Sequence, residues 1–426
     1  MKFLKIALGL ALFGSHHVNC VAVPTGAESV PVCKQIGVRK EIRSLTATEW
    51  QAYTNAVAAA YNDKWIDWFG FYHSVVADTV HGSSQFLVFH RHFINSYESI
   101  LQRYNPNVMV PYWNMMIDFQ NPDKSAVLGA KYLGGNGVGA DGCVTSGVAG
   151  AWSLVYPKTH CLSRTYNNGT TINPWYSPEY VTSLLQRSET YADLRAGVEN
   201  SVHGAVHLGL NGDMSTMHSP SDPVFFLHHV NIDRLYAQWQ AVKPATRTFM
   251  YDGVDAKNAP VKINDFIVGT STPVYQVMRL GYGNMCYTYD TIKAANGDAS
   301  ALVKRQPHKC IKRPNPATQQ IIKQLPPKVL AQFYPAFAKG PGHPLENEMV
   351  AISPLQPMAA DACAADFKAP PPNENMRGKM PFPSGLPDDW IKMQGSSVAE
   401  VRALEKAAYD MVEALNKANY LSPYMV

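Results

Sequence analysis

Apolar positions recur with helical spacing in a few separated stretches of the chain, and between these the rhythm is lost. Thr46-Ala47-Thr48-Glu49 has the form of a capping box, and Tyr53, Val57 and Tyr61 beyond it keep the spacing, which predicts a helix from about 47 to 62. A second helix is predicted from Phe86 to Tyr104, where Asn105-Pro106 closes it. VMVPYWN then reads as a short extended segment leading into a glycine-rich loop from Gly129 to Gly150. The helical pattern returns from Glu189 to His207 and from Pro223 to Gln240. Prolines and short apolar runs dominate from Ala245 to Pro387, before an amphipathic helix gathers Val401, Leu404, Ala408, Val412 and Leu415 on one face. No internal repeat or low-complexity tract interrupts this plan. The pattern predicts a mainly helical core up to about Asp290 and a loop-rich tail packed on it.

Composition narrows the partners. With 426 residues, 46% of them apolar and 11% aromatic, the chain is long enough for a large core and has the make-up of a folded protein. Lys+Arg 37 against Asp+Glu 33 leaves a net charge of +4, too small and too scattered for a nucleic-acid partner. Lys2 and Lys5 precede an apolar stretch from Ile6 to Phe13, with small residues after it, so residues 1–22 read as a signal peptide and the product as secreted. That stretch is too short to span a bilayer, and no other is apolar enough. Cleavage near Ala22 removes Cys20 and leaves Cys33, Cys143, Cys161, Cys286, Cys310 and Cys363, an even set that predicts three disulfides in an oxidising compartment. Cys143 and Cys161 are expected to pair and so close the glycine-rich loop. Asn168-Gly169-Thr170 is an N-glycosylation sequon in keeping with secretion.

Histidines carry the chemical signal. Of 14, His73, His81, His90 and His92 fall in one window and His203, His207, His218, His228 and His229 in another, the arrangement of two half-sites joined by folding. His203 and His207 are four apart and share a helix face, with Cβ atoms about 6 Å apart. A zinc-protease motif would need a glutamate after the first histidine, and Gly204 stands there. His229 completes a three-histidine set from the neighbouring helix. His228, turned about 100° from it, is expected to lie outside the ligands, and Asp233, one turn on, to orient a ligand imidazole by accepting its N–H. His73, His81 and His90 form the matching set, while His92 faces elsewhere. Three neutral imidazoles per ion, without thiolate or carboxylate, suit copper or zinc, and two such sets facing each other suit two copper ions that handle O2.

HGSSQFLVFHRHF, VPYWN, VHGAVH and SPSDPVFFLHHVNIDRLYAQW resemble the two copper-binding signatures of the tyrosinase, catechol oxidase and molluscan haemocyanin superfamily, over roughly Val38 to Asp290. The resemblance implies a four-helix bundle holding a type-3 dicopper centre, with His73, His81 and His90 on one ion and His203, His207 and His229 on the other. It also implies that CYTYD, Cys286 to Asp290, marks the end of the catalytic domain and takes Arg39 as partner. The tail, with DDWIKM and NKANYLSP, is similar to that of short secreted fungal members. The domain plan that follows is a signal peptide over 1–22, a type-3 copper domain over 23–290 and a C-terminal extension over 291–426.

Departures from the family pattern carry information. Thr79 stands where many members have a cysteine linked to the ligand two residues on, so no thioether forms there. Glu199 matches the glutamate that holds a water for deprotonating a phenol, but Gly204 lacks the amide found after the first ligand in strong monophenol hydroxylases, and Leu208 follows His207. The implied function is oxidation of o-diphenols, and more weakly of monophenols, to o-quinones with O2. Gly204 is expected to leave room beside the second copper, with Leu208 narrowing the entrance. The alternatives are an o-aminophenol oxidase, a haemocyanin-like oxygen carrier and a structural or hydrolytic zinc protein. Dibasic pairs at Lys304-Arg305 and Lys312-Arg313 offer a protease a place to separate tail from core.

Overall fold

The computed structural model describes residues 23–292, 325–338, 378–422 and 424–425. Helix α1, Ala47–Asn62, begins at the expected capping box: Thr46 accepts from the Glu49 backbone and Glu49 from the Thr46 backbone. Helix α2, Trp65–Val80, was not predicted from the pattern, because Trp68, Phe71 and Val75 on its outer face are exposed and the apolar side is not distinct from the polar one. Helix α3, Gln85–Tyr104, packs on α1 and α2. Helix α4, Pro178–Arg187, precedes α5, Tyr191–Val198, which continues through a π turn, Glu199–His203, into α6, Gly204–Leu210. Helix α7, Val224–Val242, is buried on all sides, polar residues included, and only Ala241 of its residues is not buried, as befits a central helix. The molecule is therefore mainly α, with α2, α3, the α5–α6 run and α7 as the four walls of a bundle and long loops between them.

Two buried arginines tie distant chain to this bundle. Arg164 donates to both oxygens of Asp222 at 2.6 and 2.8 Å and to the carbonyls of Leu133 and Gly134, and Asp222 in turn accepts from the Val224 backbone at the start of α7. The loop from Gly129 to Gly150 is thereby fixed to a helix terminus, and the predicted Cys143–Cys161 disulfide closes it beside the small antiparallel pair β2, Ser153–Leu154, and β3, His160–Cys161. Arg39 lies on β1, Gly37–Arg39, which runs parallel to β4, Tyr287–Tyr289, pairing Arg39 with Tyr289. A second disulfide, Cys33–Cys286, staples that pairing. Cys310 and Cys363, the signal sequence and both dibasic pairs lie outside the described residues.

The amphipathic helix near the C-terminus spans Val398–Lys417 and buries Val401, Ala408, Met411, Val412 and Leu415, with Leu404 half-buried. It carries a short helix, Asp388–Met393, whose Trp390 and Ile391 are buried with Leu386 and Val401.

Candidate metal centre

His81 is the C-cap of α2, so His73 inside that helix, His81 at its end and His90 in the second turn of α3 converge. The three rings are buried, and one nitrogen of each lies within 4.8 Å of the others. His203 at the end of the π turn, His207 on α6 and His228 and His229 on α7 form a second buried group of the same kind. The groups face each other: the rings of His90 and His229 stack with centroids 4.2 Å apart and planes at 18°, and those of His81 and His203 are 6.1 Å apart. The π turn adds a residue to the helix where Glu199 and His203 must both point inward, a device common at functional sites.

The ring nitrogens are held in a consistent manner. Nδ1 of His81, His90 and His203 meets the carbonyl four residues earlier, that of Ala77, Phe86 and Glu199, at 3.1, 2.8 and 3.2 Å. Nδ1 of His73 and His207 meets the carbonyls of Met217 and Met214 at 2.7 and 2.6 Å. A ring that donates from Nδ1 keeps a lone pair on Nε2, the state a metal requires. In each group one pair of Nε2 atoms stands 3.3 Å apart, His73 with His90 and His207 with His229. Two nitrogens on one tetrahedral ion at about 2.0 Å stand about 3.3 Å from each other. Nε2 of His203, Nδ1 of His229 and both nitrogens of His228 have no hydrogen-bond partner in the protein although fully buried. Such orphans cost about 1–3 kcal/mol each unless something binds them.

Burial lowers every one of these imidazoles, His73 and His207 to about 4, and their mutual repulsion adds to it for most of the others. They are therefore neutral at ordinary pH and ready to coordinate. Phe225 stacks on His229 at 4.0 Å, and Phe86 lies 4.8 Å from both His90 and His203, so aromatic rings shield the groups from water. An all-imidazole donor set with orphaned nitrogens fits two copper ions.

Four expectations need correction. His228 is not turned away; its ring joins the second group, parallel to that of His203 at 5.5 Å, because His203 on the π turn and His207 on α6 sit about equally far from His228 and His229. Asp233 orients no imidazole. Side chains on a helix lean toward its N-terminus, so His229 leans away from a carboxylate one turn on, just as His81, His90 and His203 find carbonyls of the turn before them. Asp233 instead accepts from Arg91, Tyr287 and Tyr289 and lies 3.5 Å from Arg39. Although burial favours its neutral form, Arg91 and Arg39 hold its carboxyl below the usual range. Gly204 leaves no room: a Cβ there would meet the Trp390 ring at 2.8 Å and Leu386 at 3.1 Å. Leu208 packs under the same segment and not beside an open entrance.

Glu199 is fully buried, with one oxygen accepting from the Gly82 backbone at 2.8 Å and the other from Arg195 at 3.1 Å. Burial pushes its carboxyl up to about 7 despite these donors. Thr79 is exposed, and the predicted Arg39 contact holds: its guanidinium lies 3.4 Å above the Tyr287 ring and donates to Tyr289 and Glu98. The pattern missed the carbonyls of Met214 and Met217, which leave no mark in side-chain type, and Trp390, whose one signal was a tryptophan in an otherwise loop-like tail.

Residues 42–242 match the family model for the common central domain of tyrosinase. The tyrosinase ustQ of Aspergillus flavus is 32% identical over 290 residues, which cover 61% of this chain and 81% of that protein. The chain belongs to the tyrosinase family. A tyrosinase-like protein of Diaporthe leptostromiformis, phomQ2, is 31% identical over 60% of this chain and 74% of its own length. A solved polyphenol oxidase of Thermothelomyces thermophila is similar at 21% identity, over 61% of this chain and 90% of that one, with a TM-score of 0.49. The tyrosinase family uses a type-3 dicopper centre, and the two facing histidine groups are suited to its two ions. This protein is thus a copper oxidase of the tyrosinase family, a family that acts on phenolic substrates with O2.

Proposed function

We propose that the protein is a secreted oxidase converting o-diphenols, and more weakly monophenols, to o-quinones. His73, His81 and His90 hold one copper and His203, His207 and His229 the other. His229 is preferred to His228 because it faces the opposite group, and the stacked His90–His229 pair is the observation that carries the reading. What the bound pair supplies is the passage of electrons from phenol to O2, two diphenols and one O2 giving two quinones and two waters. The chain orients five of the six rings through the carbonyls of Ala77, Phe86, Glu199, Met214 and Met217, which holds those ligands in place before substrate arrives. Phe86 and Phe225 exclude water around them.

Glu199 is the proton acceptor in this scheme. Each of its oxygens keeps a lone pair after meeting Gly82 and Arg195, enough to hold a water. Arg195 beside it favours the ionised form that a base requires. Gly204 offers that water no second partner, so phenols that must first lose a proton react more slowly than catechols, which are more acidic. Residues 23–290 form the catalytic unit and residues 291–426 an extension, of which Leu386 and Trp390 cover the unit at Gly204. Secretion and carbohydrate at Asn168 complete the proposal; Asn168 is exposed.

The test is steady-state O2 uptake and quinone formation by the copper-loaded chain on a matched monophenol and catechol. The expected result is turnover of both, with the catechol clearly faster. Equal rates would remove Gly204 from control of the choice, and reversible O2 binding without turnover of either would make the protein a carrier.

A further inference from the structure

Outside the two histidine groups, His160 on β3, Asp213 in the turn after α6 and His218 five residues later bring three ligand atoms within 4.8 Å of one another. Asp213 is buried, while the side chains of His160 and His218 are 21% and 17% exposed, so the cluster opens to solvent on one side. Oδ1 of Asp213 lies 3.1 Å from Nε2 of His160 and 3.2 Å from Nε2 of His218. Its other oxygen accepts from the Ser163 backbone at 2.9 Å, and the Asp213 N–H donates back to the Ser163 carbonyl at 3.0 Å, which fixes the carboxylate in place.

Nδ1 of His160 lies 2.7 Å from the Lys158 carbonyl and must donate to it. In the neutral ring this leaves Nε2 with a lone pair aimed at a carboxylate oxygen, a contact that repels unless a cation lies between the two atoms. A proton would serve, and so would a metal ion. The two separations from Asp213 Oδ1, 3.1 and 3.2 Å, are close to the edge of a tetrahedron around zinc, about 3.3 Å for bonds of about 2.0 Å, and the third pair of ligand atoms lies within 4.8 Å. Ring orientation by a backbone carbonyl is the usual support of a metal-bound histidine.

We propose that His160, Asp213 and His218 form a third, mononuclear site for a divalent first-row ion such as Zn2+, with its open positions toward solvent. Two imidazoles and one carboxylate are a donor set for zinc or copper, distinct from the all-imidazole sets of the buried centre. The site brackets the segment from Asp213 to His218, whose Met214 and Met217 carbonyls orient His207 and His73. An ion bound there braces one ligand of each buried group from outside.

The experiment uses the full chain loaded with two coppers, dialysed against micromolar Zn2+ and assayed for both metals, with Co2+ as a coloured probe of coordination. One zinc per chain at unchanged copper is expected, together with a visible Co2+ band. His160→Ala should weaken zinc binding by at least about tenfold and remove the band, since loss of even an outer partner of a ligand costs about 10–100-fold. This variant leaves the 213–218 segment intact, and His218→Gln is the independent second. Absence of zinc below millimolar concentration, zinc gained only as copper is lost, or binding unchanged in both variants would overturn the proposal and leave a hydrogen-bonded His–Asp–His cluster.

Discussion

At Asp233 two arginines and two phenols converge on one carboxylate, all of them buried, joining α7 to α3 and to β4. Removing one partner of a buried charge pair costs about 3–5 kcal/mol, because the charge left behind has no solvent. Asp233→Asn should lower the unfolding free energy by an amount of that order in a denaturant titration, while the folded protein keeps its copper. Copper loss at unchanged stability would return Asp233 to the role of orienting an imidazole. The contrast shows what single residues disclose. Histidines at 73, 81, 90, 203, 207 and 229 were legible because so many in two windows are hard to bury without a common purpose. The groups that position them were not, since the acceptors are backbone carbonyls and any residue type can supply one.

Among the elements, the short helix Asp388–Met393 changes the reading of Gly204 most. Its Trp390 lies 6.4 Å from the His203 ring and fills the space that the glycine was expected to leave. Gly204→Asn should therefore destabilise the copper-loaded protein by about 1–3 kcal/mol, the usual cost of overpacking. Adding Trp390→Ala should restore much of that and expose any gain in monophenol rate, with thermal unfolding and initial rates as the readouts. A single variant as stable as the parent would mean that Trp390 does not rest on Gly204. The pattern disclosed α1, α3, α7 and the C-terminal helix because each keeps apolar positions at helical spacing over a long run. It missed α2, where exposed aromatics blur the faces, and the docking of Trp390, which joins residues nearly two hundred positions apart.

For the molecule as a whole, the parallel pairing of β1 with β4 and the Cys33–Cys286 disulfide fasten the first described segment to the end of the catalytic unit. The Tyr-x-Tyr mark made the Arg39 contact legible, but the pairing itself joins residues too distant for local periodicity to reveal. The buried histidines give the metal-free fold a pH dependence. His73 and His207 are held at about 4, against about 6.5 when exposed, so below about 6.5 the unfolded chain takes up protons that the folded chain refuses. Stability of the apo-protein must then fall with pH from about 6.5 toward 4, each fully shifted histidine contributing about 3 kcal/mol in the limit. Denaturant midpoints of the apo-protein at pH 7 and pH 5 test this, and equal midpoints would mean that these rings are not buried without metal.

Copper counting tests the central claim most directly. The parent chain should hold two copper ions, and His90→Ala and His229→Ala, each deleting one ring of the stacked pair, should each fall to about one ion while catechol oxidation drops by at least about 100-fold. Two ions and undiminished turnover in either variant would contradict the assignment of the facing histidine groups as the dicopper site.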